Sequence, residues 1–210
     1  MNDNAKQIYA AKLTRLKETL ESHAFAVTIL ESGKDVVPFL ESVIEKGSSI
    51  GVGGSVTLDE TNVIDWLRGN ENYRFIDRYR TEDKFTAFRE SLLADVYLMS
   101  TNAVTMDGCL YNVDGNGNRV AALIFGPQKV YVIAGVNKIT EDIPSAVKRV
   151  EQYAAPVNNV RLRRGNPCEL RGECVHCNSP SSICNQFVTT RRSSVPQRIH
   201  IVLVKEELGY

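Results

Sequence analysis

Four of the chain's five cysteines fall within seventeen positions, at Cys168, Cys174, Cys177 and Cys184. The C-x2-C pair in the middle can chelate one metal centre, and the two flanking thiols complete a set of four. A structural zinc site more often uses two short pairs, whereas an iron–sulfur cluster accepts looser outer spacing. The spacing therefore favours an iron–sulfur cluster, with zinc as the alternative and free thiols or disulfides as a third reading. His176 lies inside the knuckle and has the chemistry to replace a cysteine, but a loop histidine there reads first as exposed. Cys109 stands apart with no histidine near it in sequence to lower its pKa, and reads as a small packing residue.

A second group of residues suits anions. Ser49–Ile50–Gly51–Val52–Gly53–Gly54–Ser55–Val56–Thr57 runs from an apolar strand through glycines into a helix. Glycine lets the backbone approach a ligand closely, and a helix start offers unpaired N–H groups. Ser55 and Thr57 are capping residues. The loop lacks the spacing of a dinucleotide fingerprint and the lysine of a P-loop, so a tight turn is the competing reading. A third group is 101–127, rich in Asn, Asp and Gly, which reads as strand ends joined by turns at Asp107–Gly108 and Asp114–Gly115. Asn137 and Lys138 follow the next apolar run.

The elements that must position these groups alternate. Residues 4–22 form an amphipathic helix with Ile8, Leu13, Leu16 and Leu20 on one side. Short apolar runs follow at 25–30, 49–52, 73–76, 96–100, 130–136 and 199–204, separated by helical segments near 35–46, 57–68, 82–93 and 142–154. Such alternation predicts βαβ units, an α/β fold with a mostly parallel sheet. Ligands then collect beyond the carboxyl ends of the strands. The glycine loop, Asn102–Asp107 and Asn137–Lys138 each follow a different strand, so Asp107 and Lys138 are expected to face one pocket as a carboxylate and an ammonium. His23 and His200 read as structural, and Trp66 as core.

The chain of 210 residues carries 25 Lys plus Arg and 25 Asp plus Glu. That balance gives no footprint for nucleic acid and no polybasic membrane patch. No apolar run reaches signal-peptide or membrane-span length, so the expected compartment is the cytoplasm, where thiols favour metal over disulfides. One domain, 1–210, is expected, with a cysteine-rich metal-binding insertion at about 165–186.

Taken in order, GVGGSVTLDE, TNAVTMDGCLYNVDGNGNRVAA, GPQKVYVIAGVNKI and RIHIVLVKEELGY resemble the LUD family, the lactate-utilisation domain. The likeness is to the C subunit of the bacterial lactate-oxidation system, with a four-cysteine motif added near the C-terminus. The B subunit's repeated ferredoxin-like motifs are absent. The resemblance implies a fold similar to ribose-5-phosphate isomerase, glucosamine-6-phosphate deaminase and the CoA transferases. It also implies an anion cradle at Gly51, Gly53, Gly54, Ser55 and Thr57. Asn102, Thr105, Asp107, Asn112, Asp114, Asn118 and Arg119 would line the pocket, with Asn137 and Lys138 closing it. Asp107, Asp114 and Lys138 would be the catalytic groups. The implied function is binding of a small anionic metabolite, as an enzyme subunit in lactate or other organic-acid oxidation with redox partner subunits. A non-redox isomerase or transferase and a non-catalytic ligand sensor are the alternatives. Self-association is compatible with all three.

Overall fold

The structure, a computed structural model, describes residues 3–210. Its strands are β1 (Ala26–Leu30), β2 (Ser49–Val52), β3 (Arg74–Phe75), β4 (Val96–Met99), β5 (Ala103–Thr105), β6 (Leu110–Asp114), β7 (Lys129–Gly135), β8 (Ile139–Thr140), β9 (Gln186–Thr190) and β10 (Ile199–Val204). The α-helices are α1 (Asp3–Ser22), α2 (Val36–Val43), α3 (Val56–Glu60), α4 (Val63–Arg68), α5 (Lys84–Leu92), α6 (Asn118–Ile124), α7 (Ile143–Arg149), α8 (Ala155–Leu162) and α9 (Pro167–Arg171).

Six strands form one parallel sheet in the order β1-β10-β7-β4-β2-β3. Successive strand residues point to opposite faces, and both faces are covered, so these strands read as unbroken apolar runs. Tyr97 and Met99 of β4 join Leu13, Leu16 and Leu20 of α1 and Leu123 of α6 on one side. Val96 and Leu98 meet Val36 and Leu40 of α2, Leu58 of α3 and Leu67 of α4 on the other. Each such leucine contributes about 1.5–3 kcal/mol on burial. This is the helix-flanked parallel sheet that the alternation predicts.

A second sheet, β8-β5-β6-β9, packs Ala103, Tyr111 and Val113 on Ala146, Val150 and Ala155. Its β5–β6 hairpin turns at Asp107–Gly108, as expected, with Gly108 at φ +84°. A Cβ on Gly108 would lie 2.8 Å from His23 Nδ1, and that ring donates to the Gly108 carbonyl at 3.0 Å. His23 thus ties α1 to the hairpin. His200 of β10 lies 2.8 Å from the Thr28 hydroxyl of the edge strand β1 and is structural too.

Several local expectations differ from what forms. Ile8 is 61% exposed; Tyr9 takes its place against the core, because Tyr9, Leu13, Leu16 and Leu20 keep the helical repeat. The segment 57–68 breaks at Asn62, left-handed at φ 57°, into α3 and α4. Asp114–Gly115 is not a hairpin turn. Asp114 Oδ1 accepts from the backbone N–H groups of Asn116 and Gly117, and the chain continues into α6. The 142–154 helix runs on to Leu162 despite Pro156, because a π-turn over Val150–Ala154 absorbs the hydrogen bond that proline cannot donate.

Candidate active site

β7, β4 and β2 are neighbours in the sheet, so the segments leaving their carboxyl ends lie side by side. They supply Lys138 after β7, Ser100 to Asn102 after β4, and Gly54 to Thr57 after β2. Together with α8 and the loop before β9 they line a cavity of about 370 Å³, within the usual range for small-molecule sites. Arg78, Arg119, Lys138, Arg161 and Arg164 face it, and among the described residues Asp114 is the one side-chain carboxylate in its lining.

Lys138 is 3% exposed. Its Nζ donates to Thr57 Oγ1 and Ser100 Oγ, each at 3.0 Å. Those hydroxyls pass their own hydrogens to the carbonyls of Leu208 and Thr101, so their lone pairs face the amine. No carboxylate pairs with Lys138 among the described residues. Burial first, then the charges of Arg149 and Arg119, push its pKa down to about 7, with Glu60 pulling partly the other way. A lysine near neutrality exchanges a proton at little cost, which general acid–base chemistry needs.

Arg119 has a different task. It donates to Ser100 O at 3.0 Å, Asn112 Oδ1 at 2.5 Å, Asn102 Oδ1 at 3.0 Å and Val113 O at 2.8 Å. Its Nε stands 3.3 Å from Asp114 Oδ2. The guanidinium knits β4, β6 and α6 together beside the cavity, and little of its donor capacity is left for a ligand. Asn102 also accepts from Val113 N–H at 3.0 Å. Gly53 exists for this hub: a Cβ there would lie 3.1 Å from Arg119 Cδ. Its N–H is already bonded to Leu98 O at 2.9 Å.

Of the residues expected at the site, Gly54, Ser55, Thr57, Asn102, Asp114, Asn118, Arg119 and Lys138 do line the cavity. Gly51 and Gly53 sit beneath it; a Cβ on Gly51 would lie 2.6 Å from Ser91 Cβ of α5. Asn112 is buried under Arg119. Thr105 and Asp107 are not brought to Lys138. Asp107 is exposed in the β5–β6 turn, where Thr105 Oγ1 donates to it, and Thr105 Oγ1 also receives Cys109 N–H. The strand β5 carries them away from the cavity. Asn137 holds the final residues instead, donating to Gly209 O at 3.0 Å and accepting from Leu208 N–H at 3.1 Å.

Sequence reasoning missed Ser100, Arg78, Arg149, Asn158, Arg161 and Tyr210. Ser100 was legible as the first polar residue after β4. Arg149 reaches back from α7 to the carbonyls of Asn102 and Asn137, a contact no local pattern announces. Arg78 stacks 4.3 Å from the Phe88 ring centroid. Among the described residues neither it nor Arg161 or Arg164 has a carboxylate within ion-pair distance.

Four of the cysteines, Cys168, Cys174, Cys177 and Cys184, flank the segment 180–183 that lines one side of this cavity. All five are free thiols. Cys168 is buried in α9, and Cys184 packs against the buried cluster that includes Tyr111, Val113 and Val150. Burial, then the proximity of Cys174, Cys168 and Cys177, pushes Cys184 up to about 11. Cys168 is raised by burial and by Cys177 and Cys174. Among the described residues, no three His, Cys, Asp or Glu side chains stand at metal-holding geometry. His176 is exposed, 3.7 Å from Glu151.

A family model described as the LUD domain matches residues 13–204. A DUF162 family protein from Deinococcus radiodurans, known from a crystal structure at 1.70 Å resolution, is similar with a TM-score of 0.54 and 14% sequence identity. The match covers 93% of this chain and 97% of that one, and at that identity it speaks to the fold. No curated protein matches the sequence. Among the described residues no helix is long and apolar enough to cross a membrane.

Proposed function

The chain belongs to the LUD-domain family, and on that premise we propose that its cavity binds a small anionic metabolite, an organic acid or phosphorylated compound, with Lys138 moving a proton. The observation that carries this reading is Lys138 itself. A buried amine without a carboxylate partner, held by two hydroxyls in a cavity rimmed by arginines, is costly to maintain for structure alone. An anion offsets that cost whenever Lys138 is protonated, because opposite charges attract.

In oxidation of lactate or another 2-hydroxy acid, the arginine rim takes the carboxylate and the neutral amine of Lys138 takes the hydroxyl proton. The C–H bond at the α-carbon breaks, and its hydrogen leaves with the two electrons, as hydride, to a two-electron acceptor in a partner subunit. The same amine serves a non-redox isomerase or transferase by moving a proton next to a carbonyl, with no acceptor needed. Dependence of turnover on an added electron acceptor separates the two.

Calorimetric titration with L-lactate, with a dicarboxylate and with inorganic phosphate tests the binding reading. Saturable binding to at least one is expected, weakened about tenfold or more by Arg161→Ala, since a charge-assisted contact is worth about 1.5–3 kcal/mol. Arg161 is exposed, so the fold is not at stake in that variant. No saturable response to any of these anions, or equal binding by the variant, refutes the assignment.

A further inference from the structure

Residues 172–185, between α9 and β9, contain no helix or strand, and not one of them is buried. Val175 is exposed, as is Leu170 just before. A segment of this length without regular structure or core is uncommon inside a compact domain unless something else holds it.

Protein contacts close the segment only at a few points. The Asn166 side chain donates to Ser181 O at 3.1 Å and accepts from Ser181 Oγ at 2.8 Å. Cys174 N–H donates to Glu151 O at 2.8 Å. The first contact sets the start of α9 against residue 181, which brings Cys168 and Cys184 to the same end of the segment. The second folds the C-x2-C turn back onto the π-turn before α8. Both contacts bend the segment so that its ends approach each other, although fifteen residues lie between Cys168 and Cys184 and, among the described residues, no three such side chains yet stand at metal-holding geometry.

We infer that Cys168, Cys174, Cys177 and Cys184 together hold one thiolate-ligated soft-metal centre, a zinc ion or an iron–sulfur cluster, and that this centre fixes one wall of the anion cavity. Soft thiolates select such metals, and binding that draws the four sulfurs onto one centre is also folding of the segment that carries them. The wall is specific: Pro180, Ser181, Ser182 and Ile183, all between Cys177 and Cys184, line the cavity. A Cβ on Gly115 would lie 3.2 Å from Ile183 Cα, so the segment packs against the turn that leads into the Arg119 helix. The second clause of the inference rests on the reading of the cavity as an anion site; the first does not.

The test uses the full chain purified without oxygen, compared with Cys177→Ser and with Cys109→Ser as a control outside the cluster. Metal and acid-labile sulfide analysis is expected to find about one zinc, or about four iron with sulfide, per chain. Visible absorbance distinguishes the two. Cys177→Ser should lose the metal, and Cys109→Ser should keep it. Cys177 lies in the unburied segment, and far-ultraviolet circular dichroism checks that its variant keeps the core. Inorganic phosphate titration should then show about tenfold weaker binding in Cys177→Ser.

Substoichiometric metal, with all four thiols alkylated in the folded chain, overturns the centre. Stoichiometric metal lost in Cys177→Ser with unchanged phosphate affinity overturns the wall. Stoichiometric metal in a chain that binds none of lactate, dicarboxylate or phosphate upholds the centre and refutes the anion site instead.

Discussion

Replacing Lys138 with methionine tests the cavity's chemistry through stability alone, before any ligand is known. In the native protein Lys138 titrates near 7 against an ordinary value of 10.5, and in the unfolded chain it returns to that ordinary value. Between those two values the unfolded state binds the extra proton, so native stability rises as pH increases. The burden of the buried ammonium is fully present below about pH 7 and vanishes above about 10.5. Linkage over that depression makes wild-type protein gain about 2.5 kcal/mol relative to Lys138→Met between about pH 6.5 and pH 9. Other titrations are common to both proteins and cancel in the difference. For a domain of this size that is a relative Tm change of roughly 5–10 °C. The assay is urea unfolding of both proteins across that range, read by Trp66 fluorescence and circular dichroism. At the low end the variant should approach or exceed wild-type stability, although it leaves the Thr57 and Ser100 lone pairs without a donor. A difference that stays flat with pH would refute the argument, because it would mean Lys138 titrates alike in both states.

Arg119→Met should cost about 3–5 kcal/mol, because it strands the buried Asp114 carboxylate and four acceptors; adding Asp114→Asn should recover part of that loss, and denaturant midpoints measure both. Asp107→Asn should leave anion binding unchanged and stability within about 1 kcal/mol, since the side chain belongs to an exposed turn; loss of binding in calorimetry would restore it to the site. Gly51→Ala should cost about 1–3 kcal/mol by driving a methyl into Ser91 of α5, with anion affinity intact once the protein is folded.

The parallel sheet was legible because its strands are buried on both faces, which leaves long apolar runs that no surface constraint interrupts. The small sheet was only half legible. Its β5–β6 turn carries a sharp local signal at Asp107–Gly108, but β9 alternates exposed Phe187 and Thr189 with half-buried neighbours, and pairs only through contacts distant in sequence. The helix expected near 142–154 runs on to Leu162 because a π-turn is a backbone solution that residue propensities do not encode. Asp114–Gly115 gave a false hairpin for the opposite reason: an aspartate that accepts two N–H groups serves a helix entry as well as a strand turn.

The same physics explains why one proposed catalytic pair separated. Lys138 was legible from topology alone, since it follows β7, and β7 neighbours β4, the strand before Ser100. Asp107 was placed by the same rule, but the rule applies only to the first residues after a parallel strand. Asn102 obeys it. By Ala103 the chain has entered β5, a strand of the second sheet, and three residues of extended backbone carry it about 10 Å onward before Asp107 turns against α1. The carboxylate at the cavity is Asp114, which β6 brings back along the return path of that hairpin. Asp114 pairs with Arg119, and Arg119 in turn helps depress Lys138. Removing the Asp114 charge should therefore lower the Lys138 pKa further through the unscreened guanidinium. In a folded Asp114→Asn protein, the pH at which Lys138 becomes reactive toward an amine-acylating reagent should shift down, and a shift upward would show that the carboxylate does not act through Arg119.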